Sequence, residues 1–214
     1  LRFFFFKKYT SRGSIDEKLI SIIGRKKNGF FLEVGAYNGI SESISLRFEK
    51  ELDWSGILIE PNPLHFKFLK RNRKKNICLN YICLSENYLN KELYIKNLNQ
   101  MSYIVDKENN FHFNNYPKNK IDILAKESIS GNFELLKCKV NTLKNIFFEK
   151  NIKKINLAII DVEGSELELL GGIDFEEIYI EYFCIETYNF EKLNNFMKLK
   201  NFEFIKKLHK DDYV

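Results

Sequence analysis

Apolar runs that stop abruptly at an acid or a glycine turn constrain this chain more than any other feature. Phe30-Phe31-Leu32-Glu33-Val34 runs into Gly35, Gly56-Ile57-Leu58-Ile59 ends on Glu60, and Ile155-Asn156-Leu157-Ala158-Ile159-Ile160 ends on Asp161. Runs this short and this apolar read as strands buried on both faces. Helical periods lie around them. Ile15 to Lys26 places Leu19, Ile20, Ile22 and Ile23 on one face and stops at Gly24; a polar-apolar stretch follows from about Ser41 to Leu52; Pro63 opens a helix carrying Phe66 and Leu69. The alternation predicts an α/β layer fold with a mainly parallel sheet.

Farther along, a third strand is expected within Ile77 to Leu84 and a short one at Lys137 to Val140. A helix over Thr142 to Glu149, a short helix over Ser165 to Leu170 and a strand over Tyr179 to Glu186 complete the pattern. Ser165 and Glu168 have the spacing of a capping box. Residues 97–133 break the rhythm with Asn114-Asn115, Pro117 and no sustained period. They are read as an irregular insertion acting as a lid or acceptor-binding segment.

A chain of 214 residues, 44% of them hydrophobic, supports one domain spanning residues 1–214 rather than two. The 15% aromatic content excludes a disordered or fibrous chain, because burying that much ring surface offsets chain entropy. Cys78, Cys83, Cys138 and Cys184 form no Cys-x-x-Cys pair and sit in or beside apolar runs, so they read as reduced, buried thiols. Leu1 to Phe6 is too short to span a bilayer and has no cleavage site after it, which gives a cytoplasmic protein as the expectation. The chain begins without Met, so an upstream segment or anchor could have been removed. The net charge of +5 reads first as a solvated surface, and second as help toward an acidic substrate or a membrane surface.

The chemistry-bearing residues fall at the carboxyl ends of the expected strands, where open α/β sheets bind ligands. In Glu33-Val34-Gly35-Ala36-Tyr37-Asn38-Gly39, small residues let the backbone turn sharply and approach a ligand. Glu60 follows about 20 residues on, at the place where a carboxylate accepts hydrogen bonds from ribose hydroxyls. A dinucleotide site needs Gly-x-Gly-x-x-Gly, and Gly35 is followed by Ala36, Tyr37 and Asn38 before Gly39. A nucleoside without a pyrophosphate, such as S-adenosylmethionine, fits better. The third point, Asp161-Val162-Glu163-Gly164-Ser165-Glu166, joins Glu186 at the next strand end. Clustered carboxylates can orient a hydroxyl, take its proton or hold a cation.

These stretches resemble the FkbM family of methyltransferases. The resemblance rests on Asn28 to Gly39, Trp54 to Pro63 and Ile160 to Leu170, with weaker echoes at Val140-Asn141-Thr142-Leu143, Cys184-Ile185-Glu186 and Asp212-Tyr213-Val214. It implies a Rossmann-like seven-stranded methyltransferase sheet, mainly parallel with an antiparallel last strand and helices on both faces. It also implies S-adenosyl-L-methionine as donor and O-methylation of a hydroxyl on a sugar, glycan or related small molecule. The expected donor set is Glu33, Gly35, Ala36, Gly39, Glu60 and Asn62, with Ser85 after the third strand; the expected catalytic set is Asp161, Glu163 and Glu186. No metal ligand is expected. The chain departs from the family's pattern at Ser11-Arg12, where the usual pair is Ser-Gln, and around Ile44-Ser45, where Asn-Thr is usual; Asp16 keeps its place.

Two other functions compete. A nucleic-acid ribose 2'-O-methyltransferase would suit the basic balance but would carry a lysine where Glu186 stands. A silent cofactor-binding module would account for the changes at Arg12 and Ile44. Among histidines, the usual proton acceptors, His65 and His209 read as surface residues, and only His112 in the irregular segment reads as a candidate base.

Overall fold

The computed structural model describes residues 11–96, 102–106 and 135–214. Strands β1 (Phe30–Val34), β2 (Ser55–Ile59), β3 (Ile77–Leu79), β4 (Ile82–Cys83), β5 (Leu93–Lys96), β6 (Tyr103–Val105), β7 (Leu135–Cys138), β8 (Val140–Asn141), β9 (Lys154–Ile160), β10 (Tyr179–Glu186) and β11 (Asp212–Tyr213) follow one another along the chain. The helices are α1 (Ile15–Ile23), α2 (Ser45–Leu52), α3 (Pro63–Asn72), α4 (Leu143–Glu149), α5 (Glu166–Leu170) and α6 (Phe190–Leu199).

The main sheet has six strands in the order β11-β10-β9-β1-β2-β3, all parallel except β11. The α/β fold with a mostly parallel sheet is therefore present, with six strands rather than seven in that sheet among the described residues. Residues 205–207 run beside β11, joined by the Ile205 and Lys206 N–H bonds to the Val214 carbonyl, the Val214 N–H bond to the Lys206 carbonyl and a Lys207 to Tyr213 bridge. A two-residue β11 leaves no room for a longer ladder.

Strand alternation explains the layering, since neighbouring side chains point to opposite faces. Phe31, Leu58, Leu157 and Ile159 pack with Leu19, Phe48, Leu52 and Leu69 of α1, α2 and α3. Leu32, Val34, Ile57, Ile59 and Ile160 pack with Ile146, Leu169 and Leu193 of α4, α5 and α6 on the other face. Small β4-β8 and β6-β5-β7 sheets stand beside the main one.

Several expected boundaries move for local reasons. The segment Ile77 to Leu84 breaks into β3 and β4, because the Asn80 amide donates to the Glu60 and Pro61 carbonyls and turns the chain out of the main sheet. Lys137 to Val140 likewise divides between β7 and β8, which pair with different partners. Helix α1 ends at Ile23, where Gly24 takes a φ of +85°. Helix α2 begins at Ser45 rather than near Ser41, because the preceding residues bind Glu33 instead of one another. The Ser165 and Glu168 capping box does not form: the Ser165 hydroxyl donates to the Val162 carbonyl at 2.9 Å, and Glu166 accepts from the Gly164 N–H. Within the expected insertion, residues 103–105 are the regular strand β6; His112 and the remainder of that stretch, apart from 102 and 106, lie outside the described residues. All four cysteines are free thiols, with Cys83 and Cys184 buried and Cys78 and Cys138 half-buried. No helix among the described residues is long and apolar enough to cross a membrane.

Candidate active site

The chain reverses its direction of growth across the sheet between β1 and β9, so a crevice opens beyond the carboxyl ends of β1, β2 and β9. That crevice has about 660 Å³ of empty space, part of it open to solvent. Gly35, Tyr37, Glu60 and His65 line one side, Cys83, Ile95 and Ile104 another, and Asp161, Glu163 and Ser165 the floor. The β4 strand and the small sheet thus complete a pocket that the main sheet begins.

Its tightest point lies between the glycine turn and Asp161. Gly35 has φ +86°, and a Cβ there would lie 1.8 Å from the Asp161 carbonyl oxygen. The Gly35 and Ala36 N–H groups donate to the Ile59 carbonyl, and the Asp161 N–H donates to Val34. Glycine at 35 is therefore required by the approach of two strand ends, before any ligand is considered. Gly39 is required by the packing beneath it: at φ +74°, its Cβ would meet Arg73 and Leu69 at 2.6 Å.

Glu60 is buried, and its two oxygens accept from the Tyr37 and Asn62 N–H groups, each at 2.8 Å. Burial pushes its carboxyl up to about 7, against the pull of those two donors. Each carboxylate oxygen has a second acceptor direction. Asn62 caps α3 by accepting from the Leu64 N–H at 2.9 Å.

His65 was expected at the surface, yet its side chain is only 13% exposed. It sits edge-on to Tyr37 with ring centroids 4.3 Å apart, its Nδ1 lies 3.9 Å from Glu60, and burial lowers its pKa. Its ring packs on a tyrosine three residues after β1 ends, a contact that no local pattern announces. His209 is also half-buried rather than at the surface, with Nδ1 3.7 Å from Asp212.

The floor is acidic. Asp161, Glu186 and Asp212 end or occupy the adjacent strands β9, β10 and β11, and Glu186 pairs with Asp212 in the ladder. Asp161 opens to the cleft's solvent, but the surrounding protein displaces enough water to raise its carboxyl well above the ordinary range. The Glu186, Glu163 and Asp212 charges and the hydrogen bond with Glu186 push it further. Burial raises Asp212 to about 6, and burial raises Glu166 to about 7. Glu163 takes a left-handed φ of +52°, as Tyr37 does at +47°. Two strained non-glycine residues facing one cleft fit a functional site.

Arg12 reaches this floor from the start of the described chain. Its guanidinium donates to Glu186 at 2.8 Å. The Ser11 hydroxyl fixes the segment, donating to Asp16 Oδ1 at 3.0 Å and accepting from the Asp16 N–H. The Arg12 departure noted in the sequence is thus a direct partner of an expected catalytic acid.

The cleft brings together Gly35, Glu60, Asp161 and Glu163. Glu186 adjoins it through Asp161. Glu33 does not line it: its carboxylate accepts from the Ser43 and Ser45 hydroxyls and the Ile44 N–H, with Arg73 4.0 Å away. Ala36, Gly39, Asn62 and Ser85 are not among the lining residues either, Ser85 lying beside Gly171. Three contributors went unrecognised in the sequence. Asp212 sat within a weak echo, His65 within a basic helix, and Arg73 within a run of lysines and arginines.

The profile of the methyltransferase FkbM domain matches residues 33–204, and the chain belongs to this methyltransferase family. No curated protein matches the chain. The matched span contains Glu60, Asp161 and Glu186, whereas Arg12 and Asp212 lie outside it.

Proposed function

We propose that this protein is an S-adenosyl-L-methionine-dependent O-methyltransferase acting on a hydroxyl of a sugar, glycan or related small molecule. The observation that carries the reading is one cleft lined by the glycine turn, a buried strand-end carboxylate and an acidic floor. Glu60 has lone pairs for a vicinal diol, and Tyr37 and His65 give the cleft aromatic surface beside it. The acidic floor suits a cationic ligand, and a sulfonium donor carries positive charge where a dinucleotide carries negative.

The donor, when bound, supplies an electrophilic methyl group and leaves as a neutral thioether. Little covalent help is needed from the protein, so alignment and proton removal are its tasks. In this reading Asp161 aligns the acceptor hydroxyl and takes its proton as the new oxygen–carbon bond forms. Glu186, held by Arg12, fixes the orientation of Asp161. Glu186 also argues against the ribose methyltransferase of nucleic acids, which would carry a lysine there.

Calorimetry with S-adenosylmethionine or its demethylated product, and transfer of a labelled methyl group to glycans, nucleosides and RNA, test this. A diol donates to an ionised Glu60, so donor affinity should rise as pH increases through about 7, where Glu60 loses its proton. Glu60→Gln should flatten that dependence and weaken binding by about 1–3 kcal/mol. Absence of binding, or unchanged binding by Glu60→Gln, would refute the donor assignment. Donor binding without transfer to any acceptor would indicate a silent binding module.

A further inference from the structure

We propose that the outward face of α3 is a docking surface for an anionic phospholipid bilayer. Residues 61–76 hold six cations, Lys67, Lys70, Arg71, Arg73, Lys74 and Lys75, and no acid. The helix and the turn that follows it divide them. Leu69 and Arg73 turn inward and are fully buried, whereas Lys67, Lys70, Arg71, Lys74 and Lys75 are exposed. The ion pairs of this segment among the described residues also run inward, from His65 to Glu60 and from Arg73 to Glu49 and Glu33. The outer cations have no such partner there.

Two large apolar side chains stand on the same outer face. Leu64 is 44% exposed and Phe68 57%, one turn apart and flanked by Lys67 and Arg71. A helix face with apolar side chains ringed by lysines is suited to lying at a bilayer interface, where Leu and Phe enter the acyl boundary and the cations meet headgroups. Charge complementarity selects the anionic lipid: each Lys or Arg near such a surface strengthens binding about fivefold. Nucleic acid would use the cations and could stack on Phe68, but it offers Leu64 no equivalent burial. Because α3 starts directly behind Glu60 and Pro61, docking holds the cleft beside the membrane.

Sedimentation of the full chain with phosphatidylcholine vesicles, with and without phosphatidylglycerol, tests the proposal. The expected result is binding to the anionic vesicles alone, falling steeply at high salt. Lys67→Glu with Lys74→Glu should reduce it at least tenfold, and Phe68→Ser several-fold, with unchanged melting curves. If the charge reversals unfold the protein, Lys67→Gln with Lys74→Gln should still weaken binding measurably. Equal binding to neutral vesicles, no binding, or insensitivity to these substitutions would overturn the proposal. So would single-stranded RNA binding that exceeds vesicle binding and is lost in the same variants, which would assign the face to nucleic acid.

Discussion

Asp161 combines the two properties a proton acceptor needs, access to the cleft and a carboxyl raised well above its ordinary value by enclosure and by Glu186, Glu163 and Asp212. A carboxylate with an ordinary pKa would hold a hydroxyl's proton less well. Asp161→Asn keeps the shape and removes one acid from a crowded group, so melting temperature should stay level or rise while donor affinity hardly changes. By contrast, kcat should fall by about a hundredfold or more. In the parent protein kcat should increase with pH as Asp161, whose carboxyl is raised, loses its proton. Near-normal kcat in the Asn variant, measured at saturating donor, would exclude Asp161 as the base.

At the scale of elements, the glycine turn owes its shape to a side chain far along the chain. Arg73, at the end of α3, is wholly buried and donates to the Gly39 carbonyl at 3.0 Å, to the Ser43 and Ser45 hydroxyls at 2.9 Å each, and to Glu49 at 2.5 Å. It ties β1's turn, the start of α2 and α3 into one unit, with Glu33 completing the network. Arg73→Met should cost about 3–5 kcal/mol, because two buried carboxylates lose their cation. Chemical denaturation checks this, and a loss below about 1 kcal/mol would show the network to be dispensable. Legibility in the sequence followed the same division. The expected strands β1, β2, β9 and β10 lie within a residue of their observed bounds, because strands buried on both faces leave largely apolar runs. Their acidic ends were visible for the same reason. Arg73 was not, since its burial depends on packing against distant Gly39 and Glu49, and its neighbours in sequence are solvated cations. Of the β6-β5-β7 sheet only part of β7 was foreseen, its strands being short and separated by a long stretch without a period.

Across the whole molecule, the acidic cleft sets how stability depends on pH. Glu60 and Glu166 are raised to about 7 and Asp212 to about 6, each mainly by burial, and Asp161 is raised as well. A carboxyl whose folded pKa exceeds its unfolded value favours the fold in its neutral form. Its contribution is full below the ordinary carboxylate range and is lost as pH rises through the folded value. For Glu60 and Glu166 that loss is on the order of 3 kcal/mol each. Glu49 acts the other way: burial alone would raise it, but Lys50 and Arg73 hold it below its ordinary value, so its contribution is lost only in acid. The ligand-free protein should therefore melt at a higher temperature near pH 5 than near pH 8, the decline running from about pH 4.5, where the unfolded carboxyls ionise, to about pH 7, where the folded ones do. Glu166→Gln should flatten part of that decline without touching the cleft's lining. A melting temperature that is constant or increases from pH 5 to 8 would mean that the buried carboxyls are hydrated or paired more fully than their packing indicates.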